Sequence, residues 1–144
     1  MIPSDESTLL RLHHVGFVVA SIEDSVRGFA RSLEASWDEV VFTDPEQRVK
    51  VTFLRTAPED ALVELVEPNG EDAPVNLFLK KNGPGLHHLC YEVKGLEESI
   101  KELRTKGALL AKPPKPAVAF GGRRIAWLLT AEKLLVELLE IEKR

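Results

Sequence analysis

Two stretches of this chain alternate apolar and other residues, and each is followed by apolar residues at helical spacing. In residues 11–20, Val15, Phe17 and Val19 fall on one strand face with His13, while His14, Gly16 and Val18 fall on the other. The apolar face predicts a strand that packs under a helix. That helix is expected from Ser21, a good N-cap, with Glu23 and Asp24 in its first turn. Ile22, Val26, Phe29, Ala30 and Leu33 supply its buried stripe. Residues 86–94 read the same way. Leu89, Tyr91 and Val93 face a second helix marked by Leu96, Ile100 and Leu103, and His88, Cys90 and Glu92 point away from it. Gly107 is placed to end that helix. Three shorter strands follow in each half, at about 37–43, 48–55 and 61–67, and at about 108–112, 123–129 and 134–141. Residues 68–72 read as a turn, 75–81 as a short helix, and the Pro- and Gly-rich segment 112–122 as a long loop of the kind used for binding.

The two halves are copies. Leu12-His13-His14-Val15-Gly16-Phe17-Val18-Val19 recurs 74 positions later as Leu86-His87-His88-Leu89-Cys90-Tyr91-Glu92-Val93. The match continues without a gap from Ile22–Arg27 to Leu96–Lys101. Leu62-Val63-Glu64-Leu65-Val66-Glu67 recurs 73 positions later as Leu135-Val136-Glu137-Leu138-Leu139-Glu140. Two segments in the same order at nearly one offset mark a duplicated module. The expected fold is α+β: tandem βαβββ modules at about 11–72 and 85–142, within one domain spanning 1–144, forming a β-sheet groove.

Composition narrows the function. The net charge of −4, from 19 basic and 23 acidic residues, excludes nucleic-acid binding by bulk charge. A single cysteine, Cys90, excludes a disulfide framework, a zinc ribbon and an iron–sulfur site. The first six residues do not read as a leader peptide, and no apolar run approaches the ~20 residues of a membrane span. The expectation is a cytoplasmic protein with neither nucleic-acid nor membrane partners.

The chemistry lies in four residues. Glu64 and Glu137 each sit in the middle of an apolar strand, where a lone carboxylate is costly to bury. His14 and His88 face the open side of their strands, whereas His13 and His87 read as structural. Glu67 and Glu140 fall at strand ends, near solvent. If the modules pair by pseudo-twofold symmetry, His14, Glu64, His88 and Glu137 converge. Two imidazoles and two carboxylates suit a divalent ion such as cobalt, nickel, manganese or zinc, with positions left open for catalysis.

Paired βαβββ modules with His on the first strand and Glu on the last resemble the vicinal-oxygen-chelate superfamily. This group includes glyoxalase I, methylmalonyl-CoA epimerase, extradiol dioxygenases and bleomycin-resistance proteins. The stretch from Glu64 through Pro68-Asn69-Gly70-Glu71-Asp72 and Phe78-Leu79-Lys80-Lys81-Asn82-Gly83-Pro84-Gly85 to His87-His88 is most similar to the epimerases. The resemblance implies metal ligands at His14, Glu64, His88 and Glu137. It implies a small-molecule thioester substrate such as methylmalonyl-CoA, and α-proton abstraction with a metal-stabilised enediolate. Glu137 is then the candidate base and Glu64 its catalytic counterpart. Some epimerases carry a second acid on the strand matching 49–55, where this chain has Val-Lys-Val-Thr-Phe-Leu-Arg. A glyoxalase I-type lyase would use the same four ligands, and a drug-sequestering binder is the non-catalytic alternative. Lys80, Lys81, Arg123 and Arg124 are candidate contacts for CoA phosphates. The superfamily also implies a homodimer.

Overall fold

A computed structural model describes residues 9–141; the first six residues, read above as no leader, lie outside that range. The elements run β1 (Leu9–Val18), α1 (Ile22–Ser32), β2 (Ser36–Trp37), β3 (Phe42–Asp44), β4 (Val49–Arg55), β5 (Leu62–Pro68), α2 (Val75–Asn82), β6 (Gly85–Val93), α3 (Leu96–Thr105), β7 (Leu109–Pro116), a 3-10 turn (Val118–Phe120), β8 (Arg124–Leu129) and β9 (Leu135–Glu140). The fold is α+β with mixed strand pairing, as the periodicities predict. Among the described residues no helix is long and apolar enough to cross a membrane.

The chain forms two compact units. One is His14–His87; the other joins the segment ending at His13 to the segment beginning at His88. The border therefore falls inside β1. Leu9 packs on the hydrophobic core of the second unit, and Arg11 pairs with Glu92 there.

In the His14–His87 unit the strand order is β2-β4-β5-β1, with β3 also on β4. β5 is parallel to β1, setting Gly16 beside Glu64, and antiparallel to β4. α1 closes one face through Ile22 and Val26, packed with Val19, Leu54 and Leu65. Each such side chain contributes roughly 1.5–3 kcal/mol by leaving water. The helix start is doubly capped. The Ser21 hydroxyl accepts from the Asp24 amide at 3.2 Å, and Glu67 Oε1 accepts from the Ile22 amide at 2.7 Å. Glu67 is thus tied to a helix start, where the sequence suggested only a solvent-near strand end.

The strand expected at 37–43 is broken into β2 and β3. Glu39 takes a positive φ of 65°, and Asp38 Oδ1 accepts from the Val40 amide at 3.0 Å. The Thr52 hydroxyl donates to the Val40 carbonyl at 2.6 Å and accepts from Trp37 Nε1 at 2.7 Å. Side-chain bonds replace ladder bonds over this span.

The second unit carries β6-β9-β8-β7. β9 is parallel to β6, setting Cys90 beside Glu137, and antiparallel to β8. Leu96 and Ile100 of α3 pack with Val93, Ala126, Leu128 and Leu138. Gly107 follows α3 at φ 94°, and a Cβ there would stand 3.3 Å from the Ala131 Cβ, so glycine meets both demands. The segment 112–116, expected as loop, is instead the end of β7. This strand is last in the strand order and pairs on one side only, where proline is tolerated, and its pairing with β8 carries register shifts at Leu110/Lys112 and Lys112/Lys115.

Candidate metal centre

Each unit builds one buried His–Glu pair by the same geometry. In the first, Gly16 is the register partner of Glu64, and His14 lies two residues before Gly16, so the pleat turns His14 to the same face. In the second, Cys90 is the partner of Glu137 and His88 lies two residues before Cys90. His14 and Glu64 are 0% and 5% exposed, with Nε2 and Oε1 3.4 Å apart. His88 and Glu137 are 2% and 3% exposed, with the same atoms 3.6 Å apart. The four predicted residues thus form two pairs, His14 with Glu64 in one unit and His88 with Glu137 in the other.

The neighbouring histidines do other work. His13 is half-buried, with its ring edge-on to Phe120 at 5.4 Å, and His87 is half-buried, edge-on to Phe78 at 5.1 Å. Cys90 is fully buried among Ala117, Ile125 and Leu139. Of each adjacent histidine pair, the one that strand alternation turned toward the glutamate is the buried one.

The donor set fits a divalent ion. Separations of 3.4 and 3.6 Å are long for a hydrogen bond. Nitrogen and oxygen donors held on one first-row ion at about 2.1 Å stand roughly 3.0–3.4 Å apart, close to what both pairs show. A carboxylate this buried is costly without compensating charge, and a divalent ion held by these residues would supply it.

Of the basic residues, Lys80 and Lys81 are exposed on α2. The two arginines are committed within the protein. Arg124 forks onto Glu140 through Nε and Nη2, both at 3.0 Å, and reaches Glu97 at 2.7 Å. Glu140 first and Glu97 second hold its guanidinium well above its ordinary pKa. Arg123 donates to Glu92 at 2.6 Å and to the Glu140 carbonyl at 2.9 Å. Burial pushes the Glu92 carboxyl up, but hydrogen bonds from Arg11 and Arg123 outweigh it and leave the pKa lowered. Glu140, read from sequence as near solvent, is the anchor of Arg124.

Residues 13–127 match the profile of the Glyoxalase/Bleomycin resistance protein/Dioxygenase superfamily. The chain belongs to this superfamily. Its relatives include the uncharacterised protein YqjC of Bacillus subtilis (strain 168), 35% identical over 90% of this chain and 91% of that protein. They also include the ethylmalonyl-CoA/methylmalonyl-CoA epimerase of Cereibacter sphaeroides, 31% identical over 82% of this chain and 87% of the relative. Among solved structures, methylmalonyl-CoA epimerase from Mycobacterium tuberculosis shares the fold, with a TM-score of 0.84 and 24% identity over 99% of this chain and 94% of that one. The α+β fold expected from the repeat, and glyoxalase-like by the resemblance, is thus the fold of this superfamily member.

The sequence reading passed over the aromatic residue beside each pair. Phe53 is the register partner of Glu64 and meets the His14 ring at 5.6 Å; Trp127 is the register partner of Glu137 and meets the His88 ring at 4.7 Å. The 74-residue offset that relates His14 to His88 also relates Phe53 to Trp127, and that was the available signal.

Proposed function

We propose that the protein is a metal-dependent epimerase of a CoA thioester such as methylmalonyl-CoA, with the two His–Glu pairs serving one divalent ion. The observation that carries the reading is the buried His–Glu pair built twice, with donor atoms 3.4 and 3.6 Å apart. The epimerase relative in Cereibacter sphaeroides supports the substrate class.

His14, His88, Glu64 and Glu137 would hold the ion. When bound, it would draw electron density from the thioester carbonyl and make the adjacent C–H more acidic. The remaining work is proton transfer by the chain's own carboxylates. Glu137 takes the α-proton as general base, within a strand where bulk water has little access. Return of a proton to the opposite face needs a second carrier. β4 offers no carboxylate, since it reads Val-Lys-Val-Thr-Phe-Leu-Arg. The buried carboxylates among the described residues are Asp44, Glu64 and Glu137. Asp44 is committed to the Glu46 and Gln47 amides and the Gln47 side chain, at 2.8–3.1 Å. Glu64 is the remaining candidate for that role.

The test is turnover with metal-loaded and chelated protein. Loaded protein is expected to interconvert the epimers of methylmalonyl-CoA, with the rate falling by about a hundredfold or more on chelation. Turnover of a glutathione hemithioacetal in place of the thioester would instead establish the glyoxalase-type lyase. Tight thioester binding without turnover of either substrate would establish a non-catalytic binder.

A further inference from the structure

Both units place an aromatic side chain against the imidazole of the His–Glu pair, and they do so at equivalent positions. Phe53 on β4 stands opposite Glu64 in register, with its ring inclined 70° to that of His14 at 5.6 Å. Trp127 on β8 stands opposite Glu137, inclined 81° to His88 at 4.7 Å. Phe42 backs Phe53 at 6.3 Å, and Trp127 packs against the buried cluster of Cys90, Ala117, Ile125 and Leu139. Phe and Trp are related by the 74-residue repeat although the side chains differ. What the copies share is an aromatic ring in a near-perpendicular contact.

An imidazole turns broadly about its last torsion unless something fixes the ring plane. An edge-to-face contact fixes it, and is favourable beyond the area it buries. In both units the fixed plane aims Nε2 at the glutamate Oε1, at 3.4 and 3.6 Å. A ligand pre-set in its bound orientation loses less freedom when the ion arrives. We propose that Phe53 and Trp127 are paired positioning residues that orient His14 and His88 for metal binding, so that divalent-ion affinity depends on an aromatic ring at both positions. This inference rests on the metal-site reading above.

The experiment measures Co²⁺ binding by titration calorimetry on wild type, Trp127→Phe, Trp127→Leu, Phe53→Tyr and Phe53→Leu, with thermal melts to confirm folding. Each Leu variant is expected to bind about tenfold more weakly, while Trp127→Phe and Phe53→Tyr stay within about twofold of wild type. Leu keeps an apolar side chain without the ring, and the melts separate lost packing from lost ring orientation. A second readout uses the two tryptophans, Trp37 and Trp127. In Trp37→Phe, paramagnetic Co²⁺ is expected to quench the remaining Trp127 emission at one equivalent, and His88→Ala is expected to abolish the quenching. Leu variants that bind Co²⁺ as tightly as the aromatic ones would overturn the positioning role and leave the metal site standing. Failure of every protein to bind, wild type included, would overturn the metal reading and the positioning role together.

Discussion

His14 and His13 are adjacent in the chain, yet a strand sends them to opposite faces. One pairs with a buried carboxylate and the other lies edge-on to Phe120. The same holds for His88 and His87. Alternation alone was enough to choose between them, because the apolar partners Phe17 and Val93 mark the core face without ambiguity. The expected consequence is selective metal loss. His14→Ala and His88→Ala should each lower bound divalent metal tenfold or more, whereas His13→Ala and His87→Ala should retain most of it. Elemental analysis of the purified proteins checks this, and equal loss from His13→Ala would contradict the facing assignment. Residue-level reading did less well for Glu67 and Glu140. A glutamate at a strand end looks alike in sequence whether it meets water, a helix amide or an arginine fork. Only the tertiary placement of the Ile22 amide and Arg124 decides.

Elements were legible where periodicity was strong. The two helix-bearing βα pairs and the β5 and β9 strands follow from spacing and the Ser21 cap. The departures have local causes. β2 and β3 separate because Thr52 bonds the Val40 carbonyl, and β7 extends through three prolines because it lies at the end of a strand order. Neither cause is visible without knowing which strands neighbour each other. Neighbouring also creates the ion pairs around Glu92, which tie the start of β1 and the turn before β8 to β6. Ionised Glu92 is favoured in the folded protein, since its pKa lies below the ordinary 4.5. Its stabilising contribution is therefore complete above that value, and is lost as pH falls through the lowered pKa. Glu92→Gln should melt below wild type at pH 7, and the difference should shrink as the pH drops below 4.5. A difference that stays constant from pH 7 to pH 3 would show that the ionised carboxylate is not the stabilising species.

The repeat made the molecule as a whole readable. Without it, a strand histidine or glutamate is ordinary; with it, two such pairs recur at matching registers, Gly16 with Glu64 and Cys90 with Glu137. The copies have diverged at some matching positions, as in Phe53 against Trp127. That divergence hid the aromatic partners from a search for identical residues. Superfamily membership and the glyoxalase-like fold now rest on the profile match and on the solved epimerase fold. The central claim is that a buried glutamate moves the α-proton of a thioester with the help of a bound ion. The decisive measurement is solvent deuterium incorporation at the α-carbon of a methylmalonyl thioester by wild type, Glu64→Gln and Glu137→Gln, with metal content determined on the same samples. Gln still offers a carbonyl oxygen to the ion but cannot accept a proton at neutral pH. Wild type should exchange, Glu64→Gln should exchange more slowly, and Glu137→Gln should retain much of its metal while losing exchange by about a hundredfold or more. Metal-loaded Glu137→Gln that exchanges as fast as wild type would contradict the account, leaving Glu137 as a ligand only.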